Sequence, residues 1–423
     1  MNSLITKNIK QGVNLHFIPA DRFKTVNLSF HLTRPLNREE VTYNSLIPAI
    51  LRRGCAAYPQ TRDLNIYLEE LYGASFSYTI RKKGNAQVIC LNFKTIADPY
   101  TGGVNPFDKL LDLARNIIFC PVTENGGFSS DYTRREKENL KQFIEGIINE
   151  KREYAQKRMI EEMYQKEAFG IFEYGYVEDL EKITPQNLYE HYTKIITTSP
   201  MDIFVTGYAD IPATTEKISS FFQGNTVATI PFPETLPGEM PKSITYKEET
   251  EPITQGKLSI GLRTEINRQH PLFFAMLIAN NLFGGSTHSK LFVNVREKLS
   301  LAYYAGSGYN SYKGLIIVNC GIQFDKYEIT KKEVLSQLEE LKSGHFTDEE
   351  LEFSKLSVNN AYQSAKDSAE AMEDFYSGQI LARTNDSLED VIHAVSKVTK
   401  EDVIAAAKTI FADTVFFLKG CNA

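Results

Sequence analysis

The sequence predicts an α+β fold made of two homologous α/β-sandwich domains, each a mainly antiparallel sheet with helices on one face. Three observations carry that expectation: the length of the chain, an internal duplication, and a proline-rich stretch between the copies. At 423 residues the chain exceeds the roughly 250 to 300 at which a single core stops growing. The duplication is clearest where the halves end. KITPQNLYEHYTKIITTSPMDIFVTG runs from Lys182 to Gly207, and KVTKEDVIAAAKTIFADTVFFLKG from Lys397 to Gly420. Each gives a threonine N-cap (Thr184, Thr399), a short amphipathic helix, and a β-branched and aromatic strand that stops at glycine. Between the halves, Thr226 to Lys242 holds Pro231, Pro233, Pro237, Pro241 and Gly238, which exclude regular helix. The expected organisation is a domain over 1–225, a linker over 226–242 and a homologous domain over 243–423.

The halves share a middle section as well. Glu70 to Thr95 and Lys298 to Ile322 both read as helix end, strand, polar turn, strand. Within the first, Val88, Cys90 and Asn92 alternate with Ile89, Leu91 and Phe93, as in a strand covered on at least one face. Arg81-Lys82-Lys83-Gly84 reads as a hairpin turn in water. A long charged helix is predicted from about Ser130, with Leu140, Phe143, Ile144, Ile147 and Ile148 as its apolar stripe. A second is predicted from Asp348 to about Tyr376, with the residues from His345 as its cap.

Hydrophobic residues at 42% and charged residues at 24% fit a globular protein with large aromatic side chains to bury. The net charge of -6 argues against a broad nucleic-acid or anionic-membrane surface. Five scattered cysteines include no C-x-x-C pair and fit reduced thiols. The first residues form no apolar segment of the secretory kind, and no later stretch is apolar for the ~18 residues of a membrane span. The expected location is the cytoplasm.

The stretch LFGGSTHSKLFVNVREKLSLAYYAGSGY, Leu282 to Tyr309, resembles the signature of the pitrilysin/insulinase zinc peptidases, which include mitochondrial processing peptidase-like proteins. In that signature a Gly-Gly turn precedes a helix ending in Arg-Glu-x-x-x-Leu-Ala-Tyr. LRRG, YPQT and LEELYGASFSYT in the first half extend the likeness over nearly the whole chain. The resemblance implies two sandwich domains around a peptide chamber, an inverted zinc motif H-x-x-E-H, and a further glutamate ligand. Such a zinc holds a water whose pKa it lowers, while the motif glutamate takes the proton.

Here every ligand is gone. Counted back from Gly54, the two histidine positions of the resemblance fall on Ser45 and Ala49, and the general base falls on Pro48. The distal ligand position, seven residues after Glu136 of the Glu136-Lys137 pair, falls on Phe143. Serine binds zinc poorly, alanine and phenylalanine offer no donor, and proline is neither base nor ligand. The seven histidines are no closer than His16 and His31, fifteen residues apart, so no helical pair exists. No metal ligand and no catalytic residue is therefore assigned to this chain.

The resemblance does preserve a substrate-binding pair, Arg296 and Tyr303. A guanidinium and a phenol there would hold the backbone of a bound peptide and stabilise charge on its carbonyl oxygen. A structural role, with Arg296 paired to a helical carboxylate and Tyr303 in a strand, is the competing reading. The expected function is a non-catalytic subunit of a zinc peptidase, giving peptide binding and chamber wall to a zinc-bearing H-x-x-E-H homologue as a heterodimer; self-association as a homodimer is the other arrangement. Zinc is expected in the partner and no cofactor in this chain. The alternatives are a purely structural module like the respiratory core proteins, and an active peptidase with an unrecognised metal site.

Overall fold

The computed structural model describes residues 4–222 and 229–421. In chain order the first half contains β1 (Ile5–Lys10), β2 (Val13–Pro19), β3 (Thr25–Pro35), α1 (Val41–Leu51), α2 (Thr61–Glu70), β4 (Ser75–Lys83), β5 (Ala86–Ile96), α3 (Pro106–Phe119) and a ribbon of β6 (Thr123–Glu124) with β7 (Gly127–Phe128). It continues with α4 (Ser130–Gly146), α5 (Lys151–Met163), α6 (Val177–Leu180), α7 (Pro185–Thr198), β8 (Met201–Gly207) and α8 (Ile211–Ser220). The second half contains β9 (Thr245–Glu251), β10 (Gly256–Arg263), α9 (Phe273–Asn280), β11 (Ala302–Asn310), β12 (Leu315–Ile322), α10 (Tyr327–Lys342), α11 (Asp348–Ala365), α12 (Ala369–Leu381), α13 (Leu388–Ser396), α14 (Lys400–Lys408) and β13 (Phe411–Gly420).

Two sheets form, in the orders β1-β2-β8-β3-β5-β4 and β11-β12-β10-β13-β9. Both are antiparallel except for the pairs β2 with β8 and β13 with β9. The repeated segments behave as their sequences require. Thr184 and Thr399 each close a capping box, with Asn187 and Asp402 answering across the first turn of α7 and α14. Thr347 does the same with Glu350 at the start of α11. Both expected hairpins, β4 with β5 and β11 with β12, are present. Residues 229–242 form neither helix nor strand; the start of the expected linker, with the boundary at 225, lies outside the described residues.

The chain divides into two compact units whose sequences interleave. Unit 1 comprises Met1–Glu145, Ile171–Glu234 and Ser368–Gly378; unit 2 comprises Gly146–Gly170, Thr235–Asp367 and Gln379–Ala423. In unit 1 one sheet face, with Leu15, Leu28, Phe30, Leu91, Phe93 and Ile203, packs on helices of the first half. The other face is covered by α12 from the second half. In unit 2 the face bearing Leu315, Phe416 and Leu418 is covered by α5, through Ala155, Met159 and Met163. Gly261 makes room there, since a Cβ on it would lie 2.6 Å from both methionine sulfurs.

This exchange depends on two breaks. The long helix expected from Ser130 stops at Gly146, passes through a 3-10 turn at Ile147–Asn149, and restarts as α5. Glycine and two successive β-branched isoleucines make that the weakest helical stretch of the run. The helix expected from Asp348 likewise ends at Ala365 and restarts at Ala369.

Candidate functional site

α1 holds the positions where the peptidase pattern places zinc ligands, and all three are withdrawn from solvent. Ser45 is 5% exposed and Ala49 7%, and Pro48 is buried within the helix. The Ser45 hydroxyl donates to Val41 O (3.0 Å) or to Glu173 O (3.1 Å), the latter reaching across to the Phe172–Tyr176 segment. Gln87 donates from Nε2 to the same Glu173 carbonyl at 2.6 Å, and its Oε1 accepts from Asn44 Nδ2 at 2.8 Å. Gly175 brings the segment close: its φ is +85°, and a Cβ there would lie 2.6 Å from the Thr42 Cα.

His191 is the histidine beside this helix, and it serves as a structural donor. Its Nε2 lies 2.7 Å from Asn44 Oδ1, and burial pushes its pKa down to about 4, so the ring is neutral. Phe143, on α4, is 48% exposed and turns its ring against Tyr174, 4.7 Å between centroids. Glu136 is buried and bonded to the Arg53 guanidinium and to Asn139. Among the described residues no three His, Cys, Asp or Glu side chains are grouped so as to hold a metal ion. The residues present do not fit zinc, because the side chains at these positions either carry no donor or are committed to the backbone around them.

Arg296 and Tyr303 lie in irregular backbone. Asn281–Gly285 and Leu291–Lys298 are wound as π-helix, as in the 3.1 Å bond from Leu299 N–H to Asn294 O. Gly284 lets the first π turn approach β11, since a Cβ there would come 2.6 Å from the Ser307 nitrogen. Arg296 stacks its guanidinium over Phe292 at 4.5 Å and sits 3.5 Å from Glu297 Oε1, leaving 41% of the side chain exposed. Ser300 then adopts a left-handed conformation, φ +48°.

Simple strand alternation would place Tyr303 and Tyr304 on opposite faces. A bulge intervenes: Ala302 pairs with Ile322 and Tyr304 with Gly321, so Tyr303 is the extra residue, outside the ladder. It is 59% exposed, with no side-chain partner among the described residues. Tyr304 is packed down on the α5 side, under Arg152, and burial pushes its hydroxyl pKa up to about 12. The structure thus presents Arg296 and Tyr303 to solvent on consecutive elements, without joining them by a direct contact.

The model of the Peptidase M16 inactive domain matches residues 182–358. Over 412 residues, 97% of this chain and 96% of the other, the protein is 35% identical to a "Probable inactive metalloprotease YmfF" of Bacillus subtilis (strain 168). The chain belongs to the pitrilysin/insulinase family, peptidase M16. A conserved protein from Enterococcus faecalis V583 superposes with a TM-score of 0.92 at 30% identity, covering 100% of this chain and 99% of that one. A peptidase M16 inactive domain from Pseudomonas fluorescens superposes at 0.80 with 18% identity, covering 99% and 98%, which shows the shared fold.

Within this inactive M16 metalloprotease-like chain lies a buried polar cluster that sequence reasoning missed. On the outer face of the unit 1 sheet, His31 Nε2 is 3.0 Å from Glu373 Oε1, and its Nδ1 is 3.2 Å from Ser377 Oγ. Burial works against a charged imidazole, but Cys90 and Glu373 outweigh it and push the His31 pKa up to about 10. Lys83, expected in a solvated turn, is 8% exposed and bonds Asp374 Oδ1 at 2.7 Å, and Arg81 pairs with the same carboxylate. The polar residues at alternate positions of β3 carry no signal of this cover, because such alternation ordinarily marks a face open to water. No helix among the described residues is long and apolar enough to cross a membrane.

Proposed function

We propose that this chain is the non-catalytic subunit of a zinc peptidase of its family, holding peptide through Arg296 and Tyr303 and forming part of the chamber wall of a zinc-bearing H-x-x-E-H homologue. One contrast carries the reading. The metal positions Ser45, Pro48 and Ala49 have become packed helix interior, whereas Arg296 and Tyr303 remain open to solvent in backbone that a purely structural role does not require. Hydrolysis would belong to the partner's zinc and its water. This chain would hold the substrate backbone and lend positive charge near the developing oxyanion.

The test starts with the chain alone, which should contain far less than one zinc by elemental analysis and leave an unstructured peptide uncut. Mixed with an H-x-x-E-H homologue from the same organism, it should form a heterodimer with chelator-sensitive turnover. Arg296→Ala should then lower turnover roughly tenfold or more while assembly persists. Unchanged turnover in a fully assembled Arg296→Ala complex would leave the chain a structural module only. Stoichiometric zinc with cleavage by the chain alone would place an active site elsewhere.

A further inference from the structure

α5 carries four cations, and three are paired: Lys151 with Glu251 at 3.1 Å, Lys157 with Glu161 at 2.5 Å, and Arg158 with Glu249 at 2.7 Å. The fourth, Arg152, has no carboxylate in ion-pairing range among the described residues. Its guanidinium lies over the Tyr304 ring, 5.1 Å from the centroid, and Lys257 Nζ stands 5.7 Å from the same centroid. Beside them runs a cleft of about 460 Å³, lined by Arg152, Gln156, Gly306, Gly308, Asn310 and Asn319 among others. Its floor is bare along β11, where a Cβ on Gly308 would meet nothing within 4 Å. β11 is also the outermost strand of its sheet.

We infer that this cleft selects extended peptide segments bearing an acidic side chain, and that Arg152 reads the carboxylate. The inference rests on the peptide-binding role proposed above. A guanidinium stacked on an aromatic ring keeps its N–H edge free, and its planar fork matches a carboxylate in two parallel hydrogen bonds. Stacking also fixes the side chain beforehand, so little freedom is lost on binding. An acidic side chain suits the position better than a chain terminus does. Arg152 stands over the sheet face, where alternate side chains of a segment lying along β11 would point, and a terminus would lie in line with the strand.

The test uses two acetylated and amidated peptides, identical except for glutamate or glutamine at their central positions, titrated calorimetrically into the full-length chain. The glutamate peptide should bind roughly tenfold more tightly, and Arg152→Gln, folded by thermal melting, should erase the difference. Arg152→Lys should restore only part of it, because an ammonium lacks the planar fork. Equal, measurable binding of both peptides, or a preference that survives Arg152→Gln, overturns the role of Arg152 while leaving peptide binding intact. Binding of neither overturns the peptide-binding reading beneath it as well.

Discussion

The sheet of unit 1 holds its outer helix, α12, with His31, Lys83 and Arg81 on the strands against Glu373 and Asp374 on the helix. The sheet of unit 2 anchors the C-terminal end of its outer helix, α5, with Arg263 on β10 and Lys313 in the turn between β11 and β12. Arg263 Nε bonds Asp413 at 2.7 Å and its Nη1 lies 3.3 Å from Glu167, while Lys313 lies 2.6 Å from Glu167, four residues past the end of α5. The duplicated plan is the same: a helix from the other half, laid on the outer sheet face, polar in unit 1 and apolar in unit 2, and secured by buried charge. The chemistry differs, because a guanidinium stays charged at any pH the protein survives, whereas an imidazole does not. A duplicated fold therefore conserves the need for a fastening and leaves its titration behaviour free to diverge.

The sharpest way to break that comparison is to remove each cation. Arg263→Met leaves Asp413 and Glu167 short of a partner and should cost about 4 kcal/mol, since breaking a buried ion pair strands the other charge. Denaturant unfolding should show that loss almost unchanged between pH 6 and pH 10. His31→Gln should cost about 3 kcal/mol at pH 6. Its pH dependence has a definite sign: the folded pKa of about 10 lies above the unfolded value of ~6.5. The contribution is fully present below about 6.5 and is lost as pH rises through about 10, so the variant and the parent should converge there. A His31→Gln deficit as large at pH 10 as at pH 6 would show that His31 acts through packing and not through its charge beside Cys90 and Glu373.

A smaller effect sharpens the likeness of the halves. Thr184 and Thr399 cap equivalent helices in the same way, so Thr184→Ala and Thr399→Ala should each cost about 1 kcal/mol. Thermal melting would separate them if the duplicated caps had diverged, one silent and one costly.

What the residues reveal beforehand follows from the range of the interactions involved. Caps, hairpins and the lost zinc motif are local patterns, and Ser45, Pro48, Ala49 and Phe143 could be read against a fixed spacing. Lys83 could not: its partner Asp374 is 291 residues away, so a basic run next to a glycine looked like a solvated turn. Nor does periodicity say which sheet an amphipathic helix will cover, and so the exchange of α5 and α12 left no mark on either segment. At the candidate site the spacing from Arg296 singles out Tyr303, but the bulge that expels it from the ladder arises from pairing with β12. The free state of Arg152 emerges only when its neighbours on α5 are seen to have partners.

The exchange also sets an order of events during synthesis. The six strands of the unit 1 sheet are complete once Gly207 has been made, yet the helix that covers their polar face begins at Ala369. On a ribosome adding about 5 to 20 residues per second, His31, Lys83 and their neighbours wait many seconds for that cover. Over that interval the nascent chain carries an open sheet face, and a chaperone that shields such faces can act until α12 has been made.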